Sequence, residues 1–163
     1  MNSKPPFGVI GYGAIGRVLV SELAAQRGSE GGAELPLLVR PKYLEEARAA
    51  VPAGVAVLAD AEEFLGRASA TVIEAAGAPA VVELAERVLR AGADLVIASA
   101  AALTDDALYA RIAEAARESG RQAIVASGAL GSLDILAAMA VAGLERVTYR
   151  GLKPPAAWRG TTA

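Results

Sequence analysis

The chain has 163 residues, with 16 Lys+Arg against 18 Asp+Glu for a formal net charge of −2, and it contains neither Cys nor His. That length suits one domain of ordinary size. The missing residue types exclude disulfides, thiolate or imidazole metal sites, a cysteine nucleophile and a Ser-His-Asp triad. Hydrophobic residues make up 54% with only 4% aromatic, and Ala alone supplies 39 positions, a composition suited to helices lying close on a sheet. The near-neutral charge gives no footprint for nucleic acid or an anionic membrane. No uncharged run exceeds the 12 residues of Gln122 to Leu133, too short to span a bilayer. Met1 to Pro6 lacks a basic-then-apolar signal pattern. The expectation is a soluble, cytoplasmic protein without nucleic-acid or membrane partners.

Short β-branched runs alternate with helical patterns along the chain. Phe7 to Gly11 reads as a strand, and Ile15, Val18, Leu19 and Leu23 then recur at helical spacing until Gly28. Gly28 to Glu34 reads as a surface loop. Leu35 to Val39 is a second strand, with Leu44, Ala47 and Val51 marking a short helix stopped by Pro52. Val55 to Leu58 is a third strand, followed by Asp60-Ala-Glu-Glu63, which resembles a capping box. Thr71 to Glu74 is a fourth; Pro79 then sits at a first helical position, and Val81, Leu84 and Val88 share a face before Gly92. Leu95 to Ala98 is a fifth strand, Thr104 the expected N-cap of a helix burying Leu108, Ile112 and Ala115, and Ala123 to Ala126 a sixth strand. The strands are apolar on both faces, as parallel strands covered by helices should be. Strict alternation predicts an α/β fold, a Rossmann doubly wound parallel sheet of about six strands.

After residue 128 the rhythm changes. Ser132 can cap a helix carrying Leu133, Leu136, Ala137 and Ala140 as far as Gly143. Val147 to Arg150 reads as a further strand, and Lys153 to Gly160 is held extended by its prolines. The division expected is 1–128 for the sheet domain and 129–163 for the start of a second α/β domain.

Gly11-Tyr-Gly13-Ala-Ile-Gly16 is the strongest motif. It follows a predicted strand, opens a predicted helix and begins a series of βα units, the context that makes G-x-G-x-x-G informative. Gly11 permits the tight turn, Gly13 lets the backbone approach a pyrophosphate, and Gly16 allows close helix–strand packing. The helix N-terminus at Ala14 and Ile15 offers free N–H groups and a partial positive charge, worth about 0.3–2 kcal/mol to an anion. The acidic residue expected about 20 positions on, to grip an adenosine ribose, is absent. The second strand ends instead at Arg40, whose guanidinium can face a 2′-phosphate, so the cofactor expected is NAD or NADP with NADP accepted. Ala76, in the Glu74-Ala-Ala-Gly77 turn, and the Ser99 to Leu103 segment lie at carboxyl ends of strands. Their small side chains leave room for a nicotinamide ribose there. Asp134 can be a first-turn carboxylate favoured by the helix dipole or a catalytic acid. Trp158 and Arg159 can line a pocket or belong to a tail. No metal site is expected.

Taken together, Gly11 to Gly16, Ile73 to Gly77, Ser127 to Asp134 and Val147 to Gly160 resemble L-aspartate dehydrogenase, and the last two segments are the specific ones. The resemblance runs through essentially the whole chain but through only the N-terminal part of the family's length. It implies NAD(P)-dependent oxidative deamination of L-aspartate, hydride leaving C2 to give iminoaspartate, which hydrolyses to oxaloacetate and ammonia or feeds NAD biosynthesis. It implies cofactor contacts at Gly11 to Gly16 and at Ala129. The family's catalytic histidine lies past the position matching Ala163, so no catalytic residue is assigned to this chain. The chain is expected to be a truncated, cofactor-binding part that is inactive alone, with L-aspartate the substrate of the full-length protein. A homo-oligomer is expected too, the apolar helix from Ser132 to Ala142 being the self-association patch. Ser99-Ala-Ala-Ala departs from the pattern, since a glycine is expected in that loop. Two other readings stay open: a free-standing NAD(P)-binding sensor or docking module without catalysis, and a related reductase of homoserine or dihydrodipicolinate type.

Overall fold

Runs of three or four mostly apolar residues are long enough to pair but too short to stand alone, and here six of them pair into one sheet. In the computed structural model the described residues are 7–27, 33–67, 69–127, 133–148, 150 and 152. The strands are β1 (Phe7–Ile10), β2 (Leu35–Leu38), β3 (Val55–Leu58), β4 (Thr71–Glu74), β5 (Asp94–Ile97) and β6 (Ala123–Val125). All neighbours are parallel, in the order β3-β2-β1-β4-β5-β6. This is the doubly wound Rossmann arrangement, with the direction of winding reversing between β1 and β4.

The helices joining them are α1 (Ala14–Arg27), α2 (Leu44–Ala50), α3 (Ala61–Gly66), α4 (Ala78–Arg90) and α5 (Asp106–Ser119). Because successive strand residues point to opposite faces, the sheet carries two cores. Val9, Leu37 and Val57 pack with Val20 of α1 and Ala47 of α2 on one side. Ile10, Leu38 and Leu58 pack with Phe64 of α3 and the apolar faces of α4 and α5 on the other. Burying a side chain of the size of Leu37 or Phe64 contributes about 1.5–3 kcal/mol. Asp60 caps α3 as its sequence suggests, its carboxylate accepting from Glu63 N at 2.8 Å. Pro79 falls in the first turn of α4, and Val81, Leu84 and Val88 are buried beneath it.

Several details differ from the sequence reading. Thr104 is not the N-cap of α5; it ends a 3₁₀ turn (Ala100–Thr104), and the Asp105 carboxylate accepts from Ala107 N and Leu108 N instead. A carboxylate is the stronger acceptor for helix N–H groups, and it complements the dipole. On α1, Gly16 and Val20 face the sheet, whereas Ile15 and Val18 are exposed. The glycine draws the helix in on its own side and turns the branched residues outward. β6 is not covered on both faces: as an edge strand it leaves Ile124 and Val125 exposed. The described residues of Val147 to Arg150 form no strand. Residues 28–32, which the sequence suggests as part of a loop, Ser132 and Lys153 to Gly160 lie outside the described residues.

The chain divides into two units, Met1–Ala126 and Ser127–Ala163. In the second, α6 (Leu133–Val141) is apolar nearly all round, with Ile135, Met139 and Val141 exposed. The side chain of Asp134 lies outside what is described. Among the described residues no helix is long and apolar enough to cross a membrane.

Candidate functional site

The winding reversal opens a crevice at the carboxyl ends of β1, β2 and β4, and a cleft of about 510 Å³ lies there. Its floor is the glycine turn. The Gly11 N–H donates to Leu38 O at 2.9 Å, and the Ala75 N–H donates to Ile10 O at 2.8 Å, so the turn is stitched to the strands on either side. Gly11 has φ +99°, and a Cβ on it would lie 2.7 Å from Ala75 O and from the Ala76 Cβ. A Cβ on Gly16 would lie 2.1 Å from Gly11 O, so only glycine lets α1 start this close to the strand. Gly13 is the exception. Nothing lies within 4 Å of a Cβ built on it, so the turn leaves space open at this one point, beside the first turn of α1. The Gly13 carbonyl accepts from Arg17 N, which places Gly13 just before the helix. The N–H groups of the first turn, at Ala14, Ile15 and Gly16, have no intrahelical acceptor and form an anion-binding end.

The far side of the cleft is basic and aromatic. Arg40 follows β2 in an extended conformation, with its guanidinium 5.1 Å from the centre of the Tyr43 ring, and Lys42 Nζ lies 4.8 Å from the same ring. Arg40 has no carboxylate partner among the described residues. Arg17 stacks on Tyr12 at 4.7 Å and pairs with Glu46 at 2.8 Å. The wall opposite is small, formed by Ala75 and Ala76.

The sequence-selected residues Gly11, Gly13, Arg40 and Ala76 therefore line one cleft, with Gly16 beneath it and Ala14 and Ile15 on the helix end. Ala129 lies outside the described residues. Sequence reasoning missed Tyr12, Arg17, Tyr43 and Glu46, which the chain brings in from α1 and from the turn and helix after β2. It also passed over Glu74 itself. That carboxylate ends the strand after the apolar pair Val72-Ile73 and is only 1% exposed. A charge closing a buried strand was the available signal. On the exposed face of α5, hydrogen bonding to Arg117 holds the Glu114 carboxyl below its ordinary value and raises Arg117 in turn.

Residues 11–126 match the family described as homoserine dehydrogenase, NAD binding domain. The chain belongs to this family of NAD-binding domains, and the cofactor class is a nicotinamide dinucleotide. The match begins at the first glycine of the cradle and ends just after β6. Among full-length relatives, the chain is 36% identical over 156 residues to L-aspartate dehydrogenase of Brucella anthropi, covering 95% of this chain and 56% of that protein. It is 39% identical over 150 residues to L-aspartate dehydrogenase 2 of Bordetella bronchiseptica, covering 92% and 55%. The chain thus spans about half the length of the curated relatives it matches. Among solved structures, aspartate dehydrogenase from Thermotoga maritima superposes with a TM-score of 0.61 at 24% identity, over 82% of this chain and 50% of that one. The WlbA dehydrogenase from Bordetella pertussis, solved with NADH and UDP-GlcNAcA, superposes with a TM-score of 0.65 at 23% identity, over 86% and 42%. At those identities the likeness is one of fold.

Proposed function

We propose that this chain is the dinucleotide-binding half of an NAD(P)-dependent L-aspartate dehydrogenase. The observation that carries the reading is the cradle itself. Gly11 and Gly16 are packed against backbone where no side chain fits, while Gly13 alone is left open to the cleft at a helix N-terminus. A glycine turn serving only to connect a strand to a helix has no need of that third, unfilled position. The choice of L-aspartate rests on the similarity to L-aspartate dehydrogenases along nearly the whole chain.

On this reading the first-turn N–H groups of Ala14, Ile15 and Gly16 hold the pyrophosphate, with the helix dipole favouring its charge. Gly13 lets the phosphates come within hydrogen-bond distance of the backbone. Arg40 faces the adenosine ribose, where an acidic residue would repel a 2′-phosphate, so NADP is accepted as well as NAD. Tyr43 braces that guanidinium. Ala76 leaves room for the nicotinamide ribose, and Ala129 is assigned to the cofactor by resemblance. Residues 1–128 form this half, and 129–163 open a second domain. NAD(P), when bound, supplies the acceptor for the hydride removed from L-aspartate. No side chain of this chain is assigned the accompanying proton transfer, which wants a group titrating near neutral pH.

Two measurements on the 163-residue chain test the reading: NADH and NADPH binding by calorimetry, and NAD(P)H formation on adding L-aspartate. Binding without turnover is expected. Failure to bind either nucleotide overturns the proposal, and turnover overturns the assignment of the proton transfer to residues outside this chain. Arg40→Ala should weaken NADPH by about 10- to 150-fold, the loss of a hydrogen bond to a charged group, and leave NADH nearly unchanged.

A further inference from the structure

Glu74 is the one carboxylate buried among the described residues, and nothing in the reading above uses it. A desolvated charge is tolerated only when its lone pairs are filled. Glu74 fills them with donors from two loops, one directly after it and one at Ser99, 25 residues further along the chain. Its Oε1 accepts from Ala76 N at 2.7 Å, from Gly77 N at 2.8 Å and from Ser99 Oγ at 2.9 Å. Its Oε2 accepts from Ser99 N at 3.0 Å. Among the described residues no Lys or Arg pairs with it, so its partners are three N–H groups and one hydroxyl.

The position of these loops gives the carboxylate its interest. Glu74 is in register with Ile10 of β1 and Ile97 of β5, so it stands at the carboxyl edge just past the winding reversal. Its first loop, Ala75 to Gly77, supplies the small wall of the cleft and presses on Gly11. Its second, at Ser99, opens the 3₁₀ turn after β5. In a doubly wound sheet the two sides of the reversal take the two nucleotides of a dinucleotide. The glycine turn and Arg40 occupy the adenosine side; both loops gripped by Glu74 occupy the other. Because Glu74 takes the N–H groups of Ala76 and Gly77, the start of α4 is already supplied with a negative charge. The start of α1 keeps its donors for a ligand.

We propose that Glu74 is a positioning residue that ties the loops after β4 and β5 into one surface, and that this surface sets where the nicotinamide end of the dinucleotide rests. The proposal builds on the dinucleotide reading above. Glu74→Gln breaks the tie selectively. An amide offers one acceptor oxygen, so its NH₂ must face either the Ser99 N–H or the N–H groups of Ala76 and Gly77, donor against donor. One loop is released while side-chain volume is kept.

The test compares NADH with ADP-ribose, which has the adenosine and pyrophosphate but no nicotinamide, each also in its 2′-phosphorylated form. Affinity is measured by calorimetry, and the emission of the reduced nicotinamide reports its surroundings. The wild-type chain should bind NADH more tightly than ADP-ribose. Glu74→Gln should lose about tenfold on NADH, with the emission moving toward that of the free nucleotide, and less than about twofold on ADP-ribose. Ser99→Ala, which removes one bond of the four, should show a smaller loss of the same selective kind, and it carries the test if Glu74→Gln does not fold. Equal losses on the two ligands, no loss on NADH, or no wild-type preference between them each overturns the proposal alone. A wild-type chain that binds neither ligand overturns the dinucleotide reading and this proposal with it.

Discussion

The open position at Gly13 makes the sharpest prediction. Gly13→Ala adds one methyl group at a place where nothing lies within 4 Å and where the backbone is outside the left-handed region, so the folded chain can accept it. Two small effects on stability oppose each other. Alanine is a poorer residue than glycine just before a helix, by about 1 kcal/mol or less. It also restricts the unfolded chain, which returns about 0.4–1 kcal/mol. Tm should therefore move by no more than roughly 4 °C. Binding should respond quite differently, because the methyl occupies the point at which a pyrophosphate meets the backbone. Losing a hydrogen bond to a charged group costs about 1.5–3 kcal/mol, which corresponds to roughly 10- to 150-fold in Kd. Thermal unfolding and calorimetric titration with NADH and NADPH measure both quantities on one preparation. Unchanged affinity refutes the assignment of this turn to the phosphates. A loss of affinity matched by a large fall in Tm refutes the claim that Gly13 is kept open for a ligand.

Gly16→Ala should behave in the opposite way. Its Cβ would lie 2.1 Å from the Gly11 carbonyl oxygen, a backbone atom with little freedom to retreat. Overpacking of that kind costs about 3 kcal/mol, so Tm should fall by roughly 6–12 °C with or without ligand present. Asp105→Ala removes acceptors from two N–H groups at the start of α5. It should cost about 0.5–2 kcal/mol, while Thr104→Ala, at the residue the sequence suggested as the cap, should cost much less in the same thermal scans.

The parts of this fold that could be read from the chain are those decided by neighbours in sequence. Four-residue apolar runs broken by helical spacing led to six parallel strands, and the β4 boundaries Thr71 and Glu74 follow from a polar residue at each end of Val72-Ile73. Pro79 could be placed at a helix start because its φ is preset and its missing N–H has no partner to lose there. What sequence could not show depends on residues brought together by the sheet. Thr104 and Asp105 are equally plausible caps until the 3₁₀ turn from Ala100 claims the threonine. Ile15 and Val18 match a buried stripe until Gly16 draws the other side of α1 onto β1. The glycine cradle was legible because its spacing is local; the aromatic and basic side of the cleft was not, since Arg17 and Glu46 meet across 29 positions. Glu74 and Ser99 meet only because β4 and β5 are adjacent.

The most direct test of the central claim is a titration of the ¹⁵N-labelled chain with NADH or NADPH, followed through backbone amide resonances. The account predicts that Gly13, Ala14, Ile15 and Gly16 shift first and most, joined by Arg40 on the adenosine side and by Ala76, Gly77 and Ser99 on the other. Shifts confined to residues away from the carboxyl ends of β1, β2 and β4, or no shifts at millimolar nucleotide, would contradict it.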